Sequence, residues 1–555
     1  MDAVNFINPS LRNLMPDPLS FTNMQEAASR IIEAYLKKEQ VAIFGDYDVD
    51  GACSSAILSL FFKKIGVKHD IYIPNRITEG YGPNTTAIRN LIRKGARLII
   101  TVDCGANNTA VLSRACQEGA DIIVLDHHTV YRNTLQSMDW VQVNPNRPDD
   151  LSGQGHLCAA GVVFITLAAV SRQLKNKQCK NIPDLLDYLD LVALATICDI
   201  VPLQGVNRAF VSKGLEVAHN MRNIGLTALA QASCIREPLN TFHLGYLLGP
   251  RLNAGGRIGN PALGAKLLIS DNYMEARTLA TRLNELNQNR KEMETDQVNQ
   301  AEIQIANEIQ GNNNISDILI ASGPWHPGIV GLIAARLKER FNRPALAIAI
   351  TKNGIGIGSA RSIAGINIGD MISSALSEGV LENGGGHAMA AGLTINAQKI
   401  NQLKIWFTEH MTKIKHPWQN HSVLLIDGIL SADSITKELI KNLEKGGPYG
   451  TANESPIFVL PYHKLVDVRK IGIEHISVSL AKSDQKILKG IAFRALDTAL
   501  GDFLLAKRMR TIHVAARLML NSWNGKITPQ IHICDAAEPF SKPPHPGFKS
   551  SISYH

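Results

Sequence analysis

Short apolar runs alternate with helical-period segments through the first half of the chain. Val41–Phe44, DIYIP (70–74), LIITV (98–102), DIIVL (121–125) and WVQV (140–143) read as strands. Ala52 to Lys64, residues 84–94 and residues 107–118 carry helical spacing between them. Strands that alternate with helices predict an α/β fold, a parallel sheet with helices on both faces. Phe21 to Lys38 also has helical spacing and leads into the first strand from an N-terminal appendage, residues 1–40.

Residues 272–309 are largely polar and contain no proline or glycine, which predicts one long helix joining two domains. A second alternating block follows. DILIAS (317–322) and ALAIAI (345–350) read as strands, with a helix from Pro327 to Lys338 between them. GIGIGSARS (354–362) precedes another helix from about 369, and ENGGGHAMAAG (382–392) reads as a glycine-rich loop. From about 420 the pattern changes to short β-type segments with polar turns. SWNGK (522–526) is a hairpin signal with Asn524-Gly525 at the turn, and five or so such strands suggest a small barrel. The expected organisation is therefore an appendage (1–40), a parallel-sheet α/β domain (41–270), a connecting helix (271–312), a smaller α/β domain (313–415), a barrel (420–538) and a Pro- and Ser-rich flexible tail (539–555).

With 555 residues, two to four domains are expected. A hydrophobic content of 45% and a charged content of 19% suit a soluble globular protein. The net charge of +8 is compatible with a polyanionic partner. Eight scattered cysteines form no CxxC pair, which argues against a zinc site or a disulfide framework and for a reduced, cytoplasmic chain. The N-terminus lacks the basic start and apolar core of a signal peptide, and no apolar stretch is long enough to span a bilayer.

Chemistry concentrates where strands end. The first strand runs into Asp46, Asp48 and Asp50, spaced by two, so Asp46 and Asp48 project together from the carboxyl end of the strand. That edge of an open α/β sheet is where ligands bind. The pair reads either as a polar turn or as ligands of a hard divalent cation, and Asp50 reads as the N-cap of the next helix. LIITV is followed by Asp103, and DIIVL by Asp126-His127-His128. Three strands of one unit thus deliver acid or imidazole to the same edge. A fourth acid, Asp199, sits inside the apolar segment LVALATICDIVPL (191–203), where a lone carboxylate is costly unless paired or metal-bound.

Together DYDVDG (46–51), VDCG (102–105), DHH (126–128) and ALATICDIVPL (193–203) resemble the DHH phosphoesterase superfamily. IPNRITEGYG (73–82), LCAAGVVF (157–164), GPRLNAGGRIGN (249–260), WHPGIVGLIAARL (325–337), GSARSI (358–363) and GGHAMAAG (385–392) resemble its single-strand-specific 5′→3′ DNA exonucleases, from about residue 40 to the end. Cys198 and Cys104 beside motif acids depart from the pattern without removing an expected ligand. The resemblance implies a two-metal site, Mn²⁺ or Mg²⁺, held by Asp46, Asp48, Asp103, His127 and Asp199, with Asp103 bridging. It gives His128 a place at the scissile phosphate and Asp126 the task of orienting a histidine or the loop.

The second half resembles a DHHA1 substrate-binding domain followed by an OB-fold. Arg76, Arg251, Arg257, Ser359, Arg361 and His387 are the candidates for gripping the DNA backbone or its 5′-phosphate. Trp523, His463, Lys507, Arg508 and Arg510 are candidates for stacking or backbone contacts on the barrel. The implied activity is release of 5′-mononucleotides from single-stranded DNA, in recombination and repair, alongside a RecQ-type helicase and a single-strand-binding protein. One alternative is a phosphodiesterase of short oligoribonucleotides or cyclic dinucleotides, whose members are shorter and lack the barrel segment. The other is a non-catalytic single-strand-binding scaffold, which would be expected to have lost acidic ligands that are all present here.

Overall fold

A computed structural model describes residues 3–130, 138–312, 315–412, 423–472, 474–482, 486–523 and 526–539. The turn expected at Asn524-Gly525 and nearly all of the expected tail lie outside them. The chain forms two compact units, Ser10–His421 and a second made of Met1–Pro9 with Ser422–His555. No helix among the described residues is long and apolar enough to cross a membrane.

The first sheet of the larger unit contains β1 (Gln40–Gly45), β2 (His69–Tyr72), β3 (Ala96–Val102), β4 (Asp121–Leu125) and β5 (Val141–Val143) in the order β2-β1-β3-β4-β5. Every pairing is parallel. Strands this apolar can only persist buried on both faces. On one side the helices Val49–Ile65, Ala159–Asn176 and Leu189–Cys198 share a large core with Phe61, Phe62 and Ile43. Phe44 and Ile99 face the other side, where the helices Thr85–Arg93 and Thr109–Gln117 pack. The helix Met24–Lys37 buries Met24, Ala27 and Ile31 in the first of these cores.

The register fixes what happens at the carboxyl edge. Gly45 pairs with Val102, Val102 with Leu125, and Leu125 with Val143. The next residue of each strand is Asp46, Asp103, Asp126 and Asn144, so these four lie in one row. The strand order reverses between β1 and β3, and such a switch point opens a crevice at the carboxyl ends.

Residues 249–258 form the helix Gly249–Ile258. Its glycines serve close approach: a Cβ on Gly256 would lie 2.6 Å from the Tyr47 carbonyl oxygen. The helix Tyr273–Asn312 follows and belongs to two cores. Ala276, Ala280 and Leu283 pack with the first sheet's helices, while Ala301 and Ile305 pack with the next domain. Glu294 pairs with Arg290 at 2.5 Å and with Arg336 at 3.1 Å, pinning the helix to the element Val330–Phe341.

The second sheet has β6 (Leu319–Gly323), β7 (Ala345–Ile350), β8 (Ile355–Arg361), β9 (Asn383–His387) and β10 (Ala390–Asn396) in the order β6-β7-β8-β10-β9. Residues 383–387, expected in a loop, are thus an edge strand in a hairpin with β10. Glycine is required there because a Cβ on Gly386 would lie 2.4 Å from the Ala390 carbonyl oxygen.

The smaller unit contains β11 (Gly428–Ile429), β12 (Ile457–Ile471), β13 (His475–Ala481), β14 (Ile487–Ala492), β15 (Thr511–Trp523) and β16 (Lys526–Ala537). The order β12-β13-β14-β16-β15 closes through a β12–β15 pairing into a five-stranded barrel, with β11 added beside β12. Closure removes free sheet edges, as in OB-folds. Leu460, Val478, Leu488, Val514 and Ile531 are among the residues that fill it.

Candidate metal centre

Each functional side chain is set by the end of one element. Asp46 leaves β1 buried, with Oδ1 lacking any hydrogen-bond partner among the described residues. Asp48, not Asp50, is the N-cap of the helix Val49–Ile65: its Oδ1 accepts from the Gly51 N–H at 3.0 Å. Asp50 lies in the first turn, pointing inward. There it accepts from the Ala159 and Ala160 N–H groups at 2.6 and 2.8 Å, capping a different helix. The correction matters because Asp50 also stands 3.8 Å from His127 Nε2.

Asp103 adopts φ 60 at the end of β3, a conformation that costs a non-glycine residue energy and persists where surroundings impose it. Its N–H donates to the Leu125 carbonyl, and the Tyr81 hydroxyl donates to its carbonyl at 3.0 Å. Asp126 accepts from the N–H groups of Ala106, His127 and His128 and from His128 Nδ1 at 2.8 Å. Asn144 and Asn146 donate to the carbonyls of His128 and His127. Asp199 is the C-cap of the helix Leu189–Cys198. His127 Nε2 lies 3.4 Å from Asp103 Oδ1 and 3.6 Å from Asp199 Oδ2.

Three overlapping groups could each hold a cation: Asp46, Asp48 and Asp103; Asp103, His127 and His128; and Asp50, His127 and Asp199. Within each, the ligand atoms lie within 4.8 Å of one another. Asp103 and His127 are each shared by two groups. Carboxylate oxygens suit Mn²⁺ or Mg²⁺, and the imidazoles in two of the groups lean the choice toward Mn²⁺.

Electrostatics fit the same reading. Burial, then the charge of Asp48, raises the Asp46 carboxyl well above its ordinary range. Burial, then Asp48 and Asp50, does the same to Asp103. Burial, then Asp50 and Asp48, lifts Asp199 to about 8. Burial alone would lower the His128 imidazole, but the hydrogen bond and charge of Asp126 outweigh it and lift the ring to about 9. Burial would raise Asp126, yet His128 and the surrounding donors pull it down to about 2. The cluster is short of positive charge.

One consequence is a pH dependence of the metal-free protein. Asp199 at about 8 and His128 at about 9 both bind protons more tightly folded than unfolded. Raised folded-state values mean stability that declines as pH rises through them. In chelator, the thermal midpoint is therefore expected to fall between pH 7 and 8.5. Saturating Mn²⁺ should raise the midpoint and flatten that slope. A flat or rising midpoint in chelator would contradict the assignment.

Beside this centre a cavity of about 370 Å³ is lined by Tyr47, Arg76, Tyr81, Ser359, Arg361 and His387, among others. Four of the expected phosphate-gripping residues therefore meet there, Arg76 from the first domain and the rest from β8 and β9. Arg76 stacks over the Tyr47 ring at 5.3 Å, and Arg361 donates to Ser359 Oγ at 2.8 Å. Arg257 donates to the Gly328 carbonyl, and burial, then the charges of Arg76, Arg290 and Arg361, lowers it to about 10. Arg251 lies apart, its guanidinium donating to Asn284 Oδ1 and the Leu247 carbonyl.

On the barrel, His463 is fully buried and its Nε2 accepts from the Ala432 N–H, so it offers no stacking face. Lys507 pairs with Glu538 and Arg508 with Asp467, while Arg510 is exposed. The Trp523 side chain lies outside the described residues. Tyr47, Tyr81, Asn144 and Asn146 have no role in the sequence reading, and Asp50 only that of a helix cap. The sequence signals for them are the place of Asn144 directly after a strand and that of Asp50 in a run of acids spaced by two.

The DHH family N-terminal domain matches residues 40–196, the DHHA1 domain 316–410 and the RecJ OB domain 426–535. The single-stranded-DNA-specific exonuclease RecJ of Salmonella typhimurium is 34% identical over 539 residues, 95% of this chain and 92% of that protein. RecJ of Bacillus subtilis is 34% identical over 525 residues, and there the chain spans 64% of the relative's length. The crystal structure of RecJ in complex with Mn²⁺ from Thermus thermophilus superposes with a TM-score of 0.79 at 27% identity, covering 97% of this chain and 74% of that one.

Proposed function

The chain belongs to the RecJ family of DHH phosphoesterases, and from that premise we propose that it is a metal-dependent exonuclease that degrades single-stranded DNA from the 5′ end to 5′-mononucleotides. The observation that carries the reading is the adjacency of two sites. Three cation-binding groups sharing Asp103 and His127 stand beside a cavity that Arg76, Ser359, Arg361 and His387 line.

Asp46, Asp48, Asp103, His127 and Asp199 would hold two ions, Mn²⁺ or Mg²⁺, with Asp50 behind His127. A bound pair of such cations supplies charge neutralisation at the phosphoryl oxygens and lowers the pKa of an attacking water. Asp126 holds the His128 ring through Nδ1, which leaves Nε2 to donate to the scissile phosphate or the departing 3′-oxygen. Arg76, Arg361 and Ser359 grip the terminal phosphate, with His387 beside them and Arg257 behind. Fixing that end sets which phosphodiester reaches Asp103. The enzyme acts in recombination and repair in the cytoplasm, beside a RecQ-type helicase and a single-strand-binding protein.

The test compares a long single-stranded oligodeoxynucleotide, the same sequence as a blunt duplex, and di- to pentaribonucleotides. Release of mononucleotides from the single strand, with the duplex at least tenfold slower, is expected. Hydrolysis confined to the short ribonucleotides would replace the reading with a small-substrate phosphodiesterase.

A further inference from the structure

Phe242 and Tyr246 are 56% and 72% exposed, yet their rings are stacked with centroids 5.2 Å apart at 25°. They flank and occupy a π-helical turn, His243–Leu248, which runs into the helix Gly249–Ile258. Such turns are rare and recur at functional sites. This one is tied to the metal centre. Cys198, the residue before Asp199, donates to the Leu244 carbonyl at 3.4 Å. Gly245 abuts Ile197, a contact that a Cβ would make at 3.2 Å. Ile200, directly after Asp199, is held at φ 58 and is 71% exposed, an unfavourable state for a β-branched residue.

Position and charge together name the occupant. The phosphate cavity touches the centre on the Tyr47 and Tyr81 side. Asp199 belongs to a different cation-binding group from Asp46 and Asp48. A strand whose 5′-phosphate sits in the cavity would cross the metal groups and leave past Asp199. The π-helical turn lies against that segment. Arg251, which donates to the Leu247 carbonyl of the same turn, has no carboxylate partner among the described residues, and Lys291 stands close enough for its ammonium to be disfavoured by Arg251 after burial. Aromatic faces beside cations are the elements with which proteins hold single strands.

We infer that Phe242 and Tyr246 form a base-stacking platform for the single strand beyond the first nucleotide on the 3′ side of the scissile phosphodiester. The inference rests on the exonuclease reading and adds to it the site that holds the uncut strand. Phe242→Ala/Tyr246→Ala is compared with the wild-type full-length chain and with Tyr246→Phe. The readouts are anisotropy with a 20-nucleotide single strand in Ca²⁺, quenching of 2-aminopurine placed at successive positions, and hydrolysis of a 5′-phosphorylated dinucleotide. The double variant is expected to bind the long strand roughly 10- to 100-fold more weakly, because stacking contributes about 1–3 kcal/mol per base. It should lose quenching at positions 3′ of the cleaved bond while keeping the dinucleotide rate and its thermal midpoint. Tyr246→Phe should keep all four. Unchanged affinity and quenching in the double variant would overturn the platform, and would leave the aromatic pair to a protein partner. Wild type that neither binds nor cuts the long strand would instead overturn the exonuclease reading itself.

Discussion

Asp103→Ala is expected to abolish hydrolysis of single-stranded DNA while leaving its binding within a few-fold of wild type. Asp103 is the one carboxylate shared by the Asp46–Asp48 group and the His127–His128 group, so its loss weakens two cation positions at once. Cation stabilisation of a phosphoryl transition state is worth several kcal/mol, which corresponds to a rate loss on the order of 10³-fold or more. Binding survives because the residues that line the phosphate cavity are untouched. Asp103→Asn separates charge from shape. It should be as inactive, and should also raise the thermal midpoint in chelator, because one of the buried, mutually repelling carboxylates is gone. Isothermal titration with Mn²⁺ should show fewer bound ions than the two expected of wild type. Full activity in Asp103→Asn would contradict the assignment.

Arg361→Ala carries the second largest expected effect, and it is selective. The guanidinium is half-buried beside Ser359, and burial, then the nearby charge of Arg76, disfavours its charged form, an arrangement that a phosphate dianion would relieve. A charge-assisted hydrogen bond is worth about 1.5–3 kcal/mol, so kcat/KM on 5′-phosphorylated DNA should fall roughly 10- to 100-fold. On 5′-hydroxyl DNA the change should be small, and the preference for the phosphorylated end should collapse. Arg361→Lys should fall between, since it keeps the charge and loses the fork. Equal losses on both substrates would mean that Arg361 supports the fold and reads no phosphate.

Much of this was legible in local sequence because the relevant geometry is local. A strand that ends in an acid places that acid at the carboxyl edge, and the row Asp46, Asp103, Asp126 follows from three such endings joined by register. What escaped depends on distant packing. Asp50 reads as a cap of its own helix, and its partners Ala159 and Ala160 lie 109 and 110 residues on. Tyr81 gains its meaning only when the loop after β2 folds back onto the Asp103 carbonyl. The glycine-rich stretch at 382–392 suggests a loop, since glycine signals equally a turn and a close approach. Here residues 383–387 are instead a strand crowded by β10. His463 looked available for a base, but the barrel core encloses it.

The central claim is that the three cation groups sharing Asp103 and His127 and the arginine-lined cavity together cut a single strand from its 5′ end. The most direct measurement follows one oligodeoxynucleotide labelled differently at its two ends, with Mn²⁺ and then with chelator. The expected result is early release of the 5′ label as a mononucleotide, with the 3′ label retained in steadily shortening strands and no release in chelator. Early release of the 3′ label, internal cuts, or turnover that survives chelation would contradict the account.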